Sequence, residues 1–373
     1  MKILQALFFP PEQPGGVSSM VPFIQEDFKQ NGWEMDLFYL PKRIRNKGVE
    51  PYPFQTLNMS LFEGHPIVDK YKQTMMDYIW WTEMRMKQDY DVIHAHHPIA
   101  ALVMKYLFPH TPVVVTIHSS YENELFLNHV ITKESKAYQF LTSIYHELEE
   151  TVDQIIVVSH AFKRFLSPHF TRLDEIKVLY NGFDQKRFRP SNRRNEVVQL
   201  VTLCRLVPAK GLDVLIEACS ELKKRGHPFM LHIIGDGPIR QKLEEEAQRL
   251  DMFEETIFYG YMLHPEQFMP FFDVFVLPSR AESFGNVFAE AALCNLTIVG
   301  TEIGGVPEQI EDGVNGLLVP VNDVQGLTTA LEKVVTDEAY RQQLADKAWK
   351  KSSEHYSLDR VIKELETLYR MVK

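Results

Sequence analysis

The chain has 373 residues, 45% of them hydrophobic and 24% charged, with a formal net charge of −10. That length holds about two ordinary cores, and the acidic balance argues against nucleic acid as the main partner. No apolar run is long enough to span a bilayer. Three cysteines, Cys204, Cys219 and Cys294, are too few and too scattered for a disulfide framework or a zinc site, which points to a reducing cytosol.

The first apolar stretch runs into Pro10, Pro11 and Glu12 and reads as a strand rather than a signal peptide. Further strand-like runs follow at 34–40, 91–96, 113–118, 154–159 and 177–179, and then at 198–203, 230–234, 256–259, 274–277, 296–300 and 316–319. Longer amphipathic stretches separate them. This alternation predicts an α/β chain with two doubly wound domains in succession, each a parallel sheet covered by helices on both faces. The turn Asn181-Gly182 and the polar stretch 190–196 mark the boundary. We expect a first domain over 1–185, a second over 186–357 and a closing helix over 358–373, with Asn181-Gly182 as a candidate hinge. Ligands in such sheets bind at the carboxyl ends of strands, so the cleft between the domains is the expected site.

In the first half, Gly15-Gly16 follows the first strand and lets backbone approach a ligand, or simply makes a turn. The G-x-G-x-x-G dinucleotide fingerprint is absent there, which disfavours a nicotinamide oxidoreductase. Lys42, Arg43, Arg45 and Lys47 form a small basic cluster that reads as a solvated loop, so a peripheral membrane contact stays open and unsupported. His94 and His96 lie two apart on a strand and share a face, His97 faces away or opens the loop, and His118 ends the next strand. No acidic or cysteine partner has ligand spacing for a metal with them. His94 reads as a satisfied core histidine, and His118, at a strand's carboxyl end, as a polar group of the cleft. The aromatics Phe8, Phe9, Tyr121 and Phe126 suit an apolar or sugar acceptor, or core packing.

In the second half, Arg205 and Lys210 follow the first strand in LCRLVPAKG. A guanidinium fork and a compact ammonium suit a diphosphate, or they are two surface cations. IIGDGP at 233–238 is first of all a tight turn, and Asp236 carries no separate role. The segment PSRAESFGNVFAEA at 278–291 places Glu282 and Glu290 around a Ser283-Phe284-Gly285-Asn286 turn between a strand and a helix. The helix start favours an anion. Two carboxylates beside it are suited to hydroxyls flanking the anion, the shape of a nucleotide diphosphate sugar. Taken singly, Glu282 would cap a helix and Glu290 would sit on a solvated face. GGVPE at 304–308 follows the next strand as a further turn near the same ligand.

In this order the motifs resemble the retaining glycosyltransferases of family 4 with the GT-B fold. The matching segments are GGV at 15–17, DVIHAHHP at 91–98, VVTIH ending at His118, IVVS at 156–159, NGFD at 181–184, RLVPAKG at 205–211, GDGP at 235–238, the E-x7-E pair Glu282 and Glu290, and GGVPE. The resemblance implies Arg205 and Lys210 on the donor diphosphate. It places Glu282 and the backbone of Ser283, Phe284, Gly285 and Asn286 on sugar hydroxyls and the distal phosphate, and Glu290 on the ribose. Gly16 would face the donor near the acceptor, His118 would sit by the transferred sugar, and the closing helix would cross back onto the first domain. It implies transfer of a sugar, uridine donors being commonest, to an acceptor hydroxyl with retention, needing no cofactor and no metal. The rivals are a nucleotide-sugar epimerase, a phosphorylase-like enzyme lacking here its long chain, and a non-catalytic nucleotide-sugar binder or scaffold. The donor sugar, the base and the acceptor, whether lipid, glycan or small molecule, stay open, since 46–85 and 119–134 match no motif tied to an acceptor.

Overall fold

Runs of apolar and β-branched residues become strands, and in the computed structural model they assemble into two parallel sheets of six strands each. The structure describes residues 1–8, 10, 16–41, 64–86, 89–191 and 195–373, with the side chains of 16–19 left aside. Gly15, Phe9 and the basic residues Lys42, Arg43, Arg45 and Lys47 lie outside the described residues, as does part of 46–85.

The first sheet comprises β1 (Lys2–Leu7), β2 (Glu34–Tyr39), β3 (Val92–Ala95), β4 (Val113–Ile117), β5 (Gln154–Val157) and β6 (Lys177–Val178), in the order β2-β1-β3-β4-β5-β6. The second comprises β7 (Val198–Leu203), β8 (Phe229–Ile234), β9 (Thr256–Gly260), β10 (Val274–Leu277), β11 (Thr297–Thr301) and β12 (Leu317–Val319), in the order β12-β11-β10-β7-β8-β9. Every residue of β3, β4, β10 and β11 is buried, which is why these strands read as unbroken apolar runs. The outer strand β2 instead alternates exposed and buried residues at its start, as a half-covered edge does.

Strand order reverses direction between β1 and β3 in the first sheet, and between β7 and β10 in the second. At such a reversal the loops leaving the two strands diverge to opposite faces and open a crevice at the strands' carboxyl ends. The loop after β7 carries Arg205 and Lys210, and the loop after β10 carries Glu282, so chain topology alone puts these residues on either side of one crevice.

The chain divides into two compact units, residues Met1–Tyr180 with Asp359–Lys373, and residues Asn181–Leu358. Residue 185, where the sequence places the end of the first domain, lies within the second unit. Phe183 ties the start of that unit to its end: its amide donates to the Tyr356 carbonyl at 2.9 Å, and its own carbonyl accepts from Leu358 at 3.1 Å. The last helix, Leu358–Val372, buries Val361, Ile362, Leu365, Leu368 and Tyr369. In the first unit the Tyr369 ring lies 5.8 Å from Phe28 and 6.4 Å from Trp33. Among the described residues no helix is long and apolar enough to cross a membrane.

Candidate active site

The crevice of the second unit is built by loops packed so closely that side chains are excluded at several points. Gly211 opens the helix Leu212–Lys224 at φ +64°, and a Cβ there would stand 2.1 Å from the Pro278 carbonyl oxygen. Gly235, at φ +136°, brings the loop after β8 against Cys204, where a Cβ would lie 1.8 Å from the carbonyl oxygen. Asp236, in the same turn, is exposed and accepts from the Gly237 amide at 2.7 Å. It therefore serves the turn, as its sequence context indicates.

Lys210 Nζ donates to Glu282 Oε1 at 2.6 Å, and Ser279 Oγ donates to the same oxygen at 2.9 Å. Glu282 is thus held by the neighbouring loop rather than capping the following helix. That helix, Asn286–Leu293, begins at Gly285 with φ +87° and has no side-chain cap among the described residues. Its first-turn amides are the groups that attract an anion. The Glu282 carbonyl accepts from the Gly305 amide at 3.2 Å, which seats GGVPE against the site.

Phe284 contributes backbone only, since its ring is buried against Phe183 and Tyr356. Gln309 Nε2 donates to the Phe284 carbonyl at 2.5 Å and to the Gly285 carbonyl at 3.2 Å. Asn286 Oδ1 accepts from Asn181 Nδ2 at 2.7 Å, while Ser283 is half-buried and Arg205 is exposed on the loop after β7. Glu290 lies one turn into the helix. Burial pushes its carboxyl up to about 7, with Glu266 adding to the rise and Arg187 opposing it. Arg187 and Glu266 pair at 2.9 Å.

Arg280 was not singled out by the sequence, yet it locks the two loops together. Its guanidinium donates to both Asp213 carboxylate oxygens at 2.9 and 2.7 Å, to the Pro208 carbonyl at 2.6 Å and to Asn322 Oδ1 at 2.7 Å. Gln309 was missed as well, and no sequence signal marks it. Arg280 lies inside the 278–291 segment and could have been weighed there.

Gly16 and His118 belong to the first unit. Gly16 is the first residue of the helix Gly16–Gln30. His118 follows β4, and its Nε2 lies 3.1 Å from His96 Nδ1. His94 has partners at both ring nitrogens, the Tyr369 hydroxyl at 2.6 Å and Thr116 Oγ1 at 2.8 Å, as a satisfied core histidine should. His97 caps the helix Pro98–Leu107 through Nδ1. Of the aromatics, Phe8 is a core residue stacked on His97 at 4.0 Å. Tyr121 packs edge-on against Tyr71 at 5.5 Å, and Phe126 lies under the Lys133 ammonium.

Residues 184–351 match the family described as glycosyl transferases group 1, and residues 14–187 match glycosyltransferase family 4. An uncharacterized glycosyltransferase of Methanocaldococcus jannaschii is 27% identical over 401 aligned positions, covering 100% of this chain and 98% of that one. Among solved structures, sucrose-phosphate synthase from Thermosynechococcus elongatus superposes with a TM-score of 0.82 at 19% identity, over 100% of this chain and 99% of that one. Anabaena HepE in complex with UDP-glucose gives a TM-score of 0.75 at 20% identity, over 99% of each chain.

Proposed function

The chain belongs to the family 4-like glycosyltransferases of the GT-B fold, and on that premise we propose that it moves a sugar from a nucleotide diphosphate donor, a uridine one, to an acceptor hydroxyl with retention of anomeric configuration. The observation that carries this reading is the pairing of Lys210 with Glu282 at 2.6 Å across the crevice between β7 and β10, beside the start of Asn286–Leu293, which has no side-chain cap among the described residues. Cation, carboxylate and helix start are the three groups a diphosphate with flanking hydroxyls requires. The UDP-glucose held by Anabaena HepE supports the choice of donor.

In this mechanism the bond from the anomeric carbon to the diphosphate oxygen breaks as the acceptor oxygen bonds to the same face. The acceptor proton passes to the leaving phosphate oxygen. Arg205, Lys210 and the amides of Ser283 to Asn286 hold the negative charge that develops, and because they are fixed before the bond breaks they favour the transition state over the ground state. Glu282 accepts hydrogen bonds from the sugar hydroxyls, and Glu290 from the ribose. The roles of Gly16, facing the donor near the acceptor, and of His118, by the transferred sugar, rest on the family resemblance alone. No side-chain nucleophile is needed, and these side chains carry the charge balance without a metal.

A thermal-shift panel of UDP, GDP and their glucose and mannose derivatives identifies the donor, because a ligand of the native state raises the melting temperature. Turnover is then followed with Lys210→Ala and Glu282→Ala. Full activity in both variants would sink the assignment. Sugar turnover without any acceptor would favour an epimerase, and nucleotide binding with no turnover a non-catalytic binder.

A further inference from the structure

A run of buried polar side chains crosses the first sheet and ends at His118. Thr116 Oγ1 lies 2.8 Å from His94 Nε2, and His94 Nδ1 lies 2.6 Å from the Tyr369 hydroxyl. Gln5 Nε2 stands 3.1 Å from that hydroxyl, and Gln5 Oε1 stands 2.6 Å from His96 Nε2. His96 Nδ1 completes the run at 3.1 Å from His118 Nε2. Gln5, His94, His96 and Tyr369 are all buried. They come from β1, from the β3 strand and its end, and from the closing helix, so distant parts of the sequence are needed to assemble the run. His118 Nδ1 is sealed from solvent and has no hydrogen-bond partner among the described residues.

The polarity of this run follows from one end. Burial holds the imidazoles neutral, with His94 and His118 pushed down to about 3 and His96 held well below its usual value. A neutral imidazole donates from one nitrogen and accepts at the other, so each bond dictates the next. The Met35 thioether, 3.6 Å from Gln5 Nε2, can only accept. The amide nitrogen therefore faces Met35 and Tyr369, and the amide oxygen faces His96. His96 must then donate from Nε2 and accept at Nδ1, so His118 donates from Nε2 and keeps a bare lone pair on Nδ1. On the other branch Tyr369 donates to His94 Nδ1, and His94 donates from Nε2 to Thr116.

We infer that Gln5, oriented by Met35 and Tyr369 and acting through His96, is a positioning residue that fixes His118 as the Nε2–H tautomer, so that His118 meets a sugar hydroxyl as an acceptor and not as a donor. The inference rests on the assignment of His118 to the transferred sugar. A hydroxyl supplies the proton that Nδ1 lacks, whereas a phosphate oxygen has none to give and is refused.

Long-range 1H–15N correlation spectra of the full chain, with His118 assigned from the His118→Ala spectrum, read the tautomers directly. The expected pattern is a protonated Nε2 and a bare Nδ1 at both His96 and His118. A protonated Nδ1 on His118 in the unaltered chain overturns the inference, and that reading needs no ligand and no change at Gln5. Gln5→Leu removes the acceptor for His96. It is expected to mix the tautomers at both rings and to lower kcat on UDP-glucose about tenfold, the worth of one hydrogen bond, while KM and the UDP-induced thermal shift hold. Gln5→Glu, whose carboxylate accepts the same bond, is expected to restore the Nε2–H pattern. An unchanged spectrum in Gln5→Leu overturns the inference as well. If the unaltered chain turns over no uridine diphosphate sugar, the donor assignment fails, and the tautomer spectra still decide the role of Gln5.

Discussion

Lys210 Nζ and Glu282 Oε1, 72 residues apart in sequence, meet at 2.6 Å. The contact lets each group hold the other in place for a ligand that needs both. In the proposed reading a bound diphosphate pairs with the ammonium, and sugar hydroxyls satisfy the carboxylate. Lys210→Ala and Glu282→Ala are each expected to lower kcat/KM by about 10²–10³-fold. Because residues in contact are energetically coupled, the double variant is expected to lose less than the product of the single losses. Steady-state kinetics with UDP-glucose measure the cycle, and fully multiplicative losses would show that the two act independently.

Gly304 tests how tightly the loop after β11 must press on Glu282. It has φ +53°, and a Cβ would stand 1.6 Å from the Glu282 carbonyl oxygen. Gly226 makes the comparison, since it has φ +83° but nothing within 4 Å of the added atom. Gly226→Ala should cost about 1 kcal/mol, the conformational term alone. Gly304→Ala adds the clash and should cost about 3 kcal/mol while weakening nucleotide binding. Urea denaturation and UDP titration separate the two, and equal costs would mean that the loops can move apart.

On the proposed ribose contact, Glu290 is expected to make nucleotide binding depend on pH. Its carboxyl is raised by burial from 4.5 to about 7, with Glu266 adding to the shift and Arg187 opposing it. Between those values the folded chain keeps a proton that the unfolded chain has released. This group therefore lowers stability as pH rises through the window, and its effect levels off above it. Ribose hydroxyls donate to the charged form and favour it. UDP affinity should accordingly rise from about pH 6 to 8 more steeply in the unaltered chain than in Glu290→Gln, which corrects for the ionisation of UDP itself. Calorimetry at several pH values gives both slopes. Parallel slopes would remove Glu290 from the ribose contact.

The strands were legible because parallel, doubly covered strands have few ways to be written. Val198–Leu203 and Val274–Leu277 occupy the residues that their apolar runs mark. The run at 113–118 overshoots by one residue, because β4 ends at Ile117 and His118 already belongs to the loop. The role proposed for His118 falls on that kind of residue, where the sheet's periodicity stops. His94 reads correctly as a core histidine from its place inside a strand. Contacts between distant loops were not legible. Motifs name Lys210 and Glu282 separately, but nothing in either segment says that they touch, and the 364-residue separation of Gln5 from Tyr369 leaves no local trace.

Arg280 is the residue whose removal should show how far positioning matters beyond direct contact. Its fork spans Asp213 and the Pro208 carbonyl, and its own amide donates to the Ala209 carbonyl at 2.8 Å. The Lys210 loop and the Glu282 loop are thus bolted together one residue from the site on one side and two on the other. Lysine keeps the charge but cannot make planar, two-pronged bonds. Arg280→Lys is therefore expected to cost about 1–2 kcal/mol in stability, as lost charge-assisted bonds do. It should also reduce kcat/KM about tenfold through misplacement of Lys210 and Glu282. Thermal denaturation and kinetics on the same preparation test both. A variant that loses stability but keeps full kcat/KM would show that the pair holds its geometry without this brace.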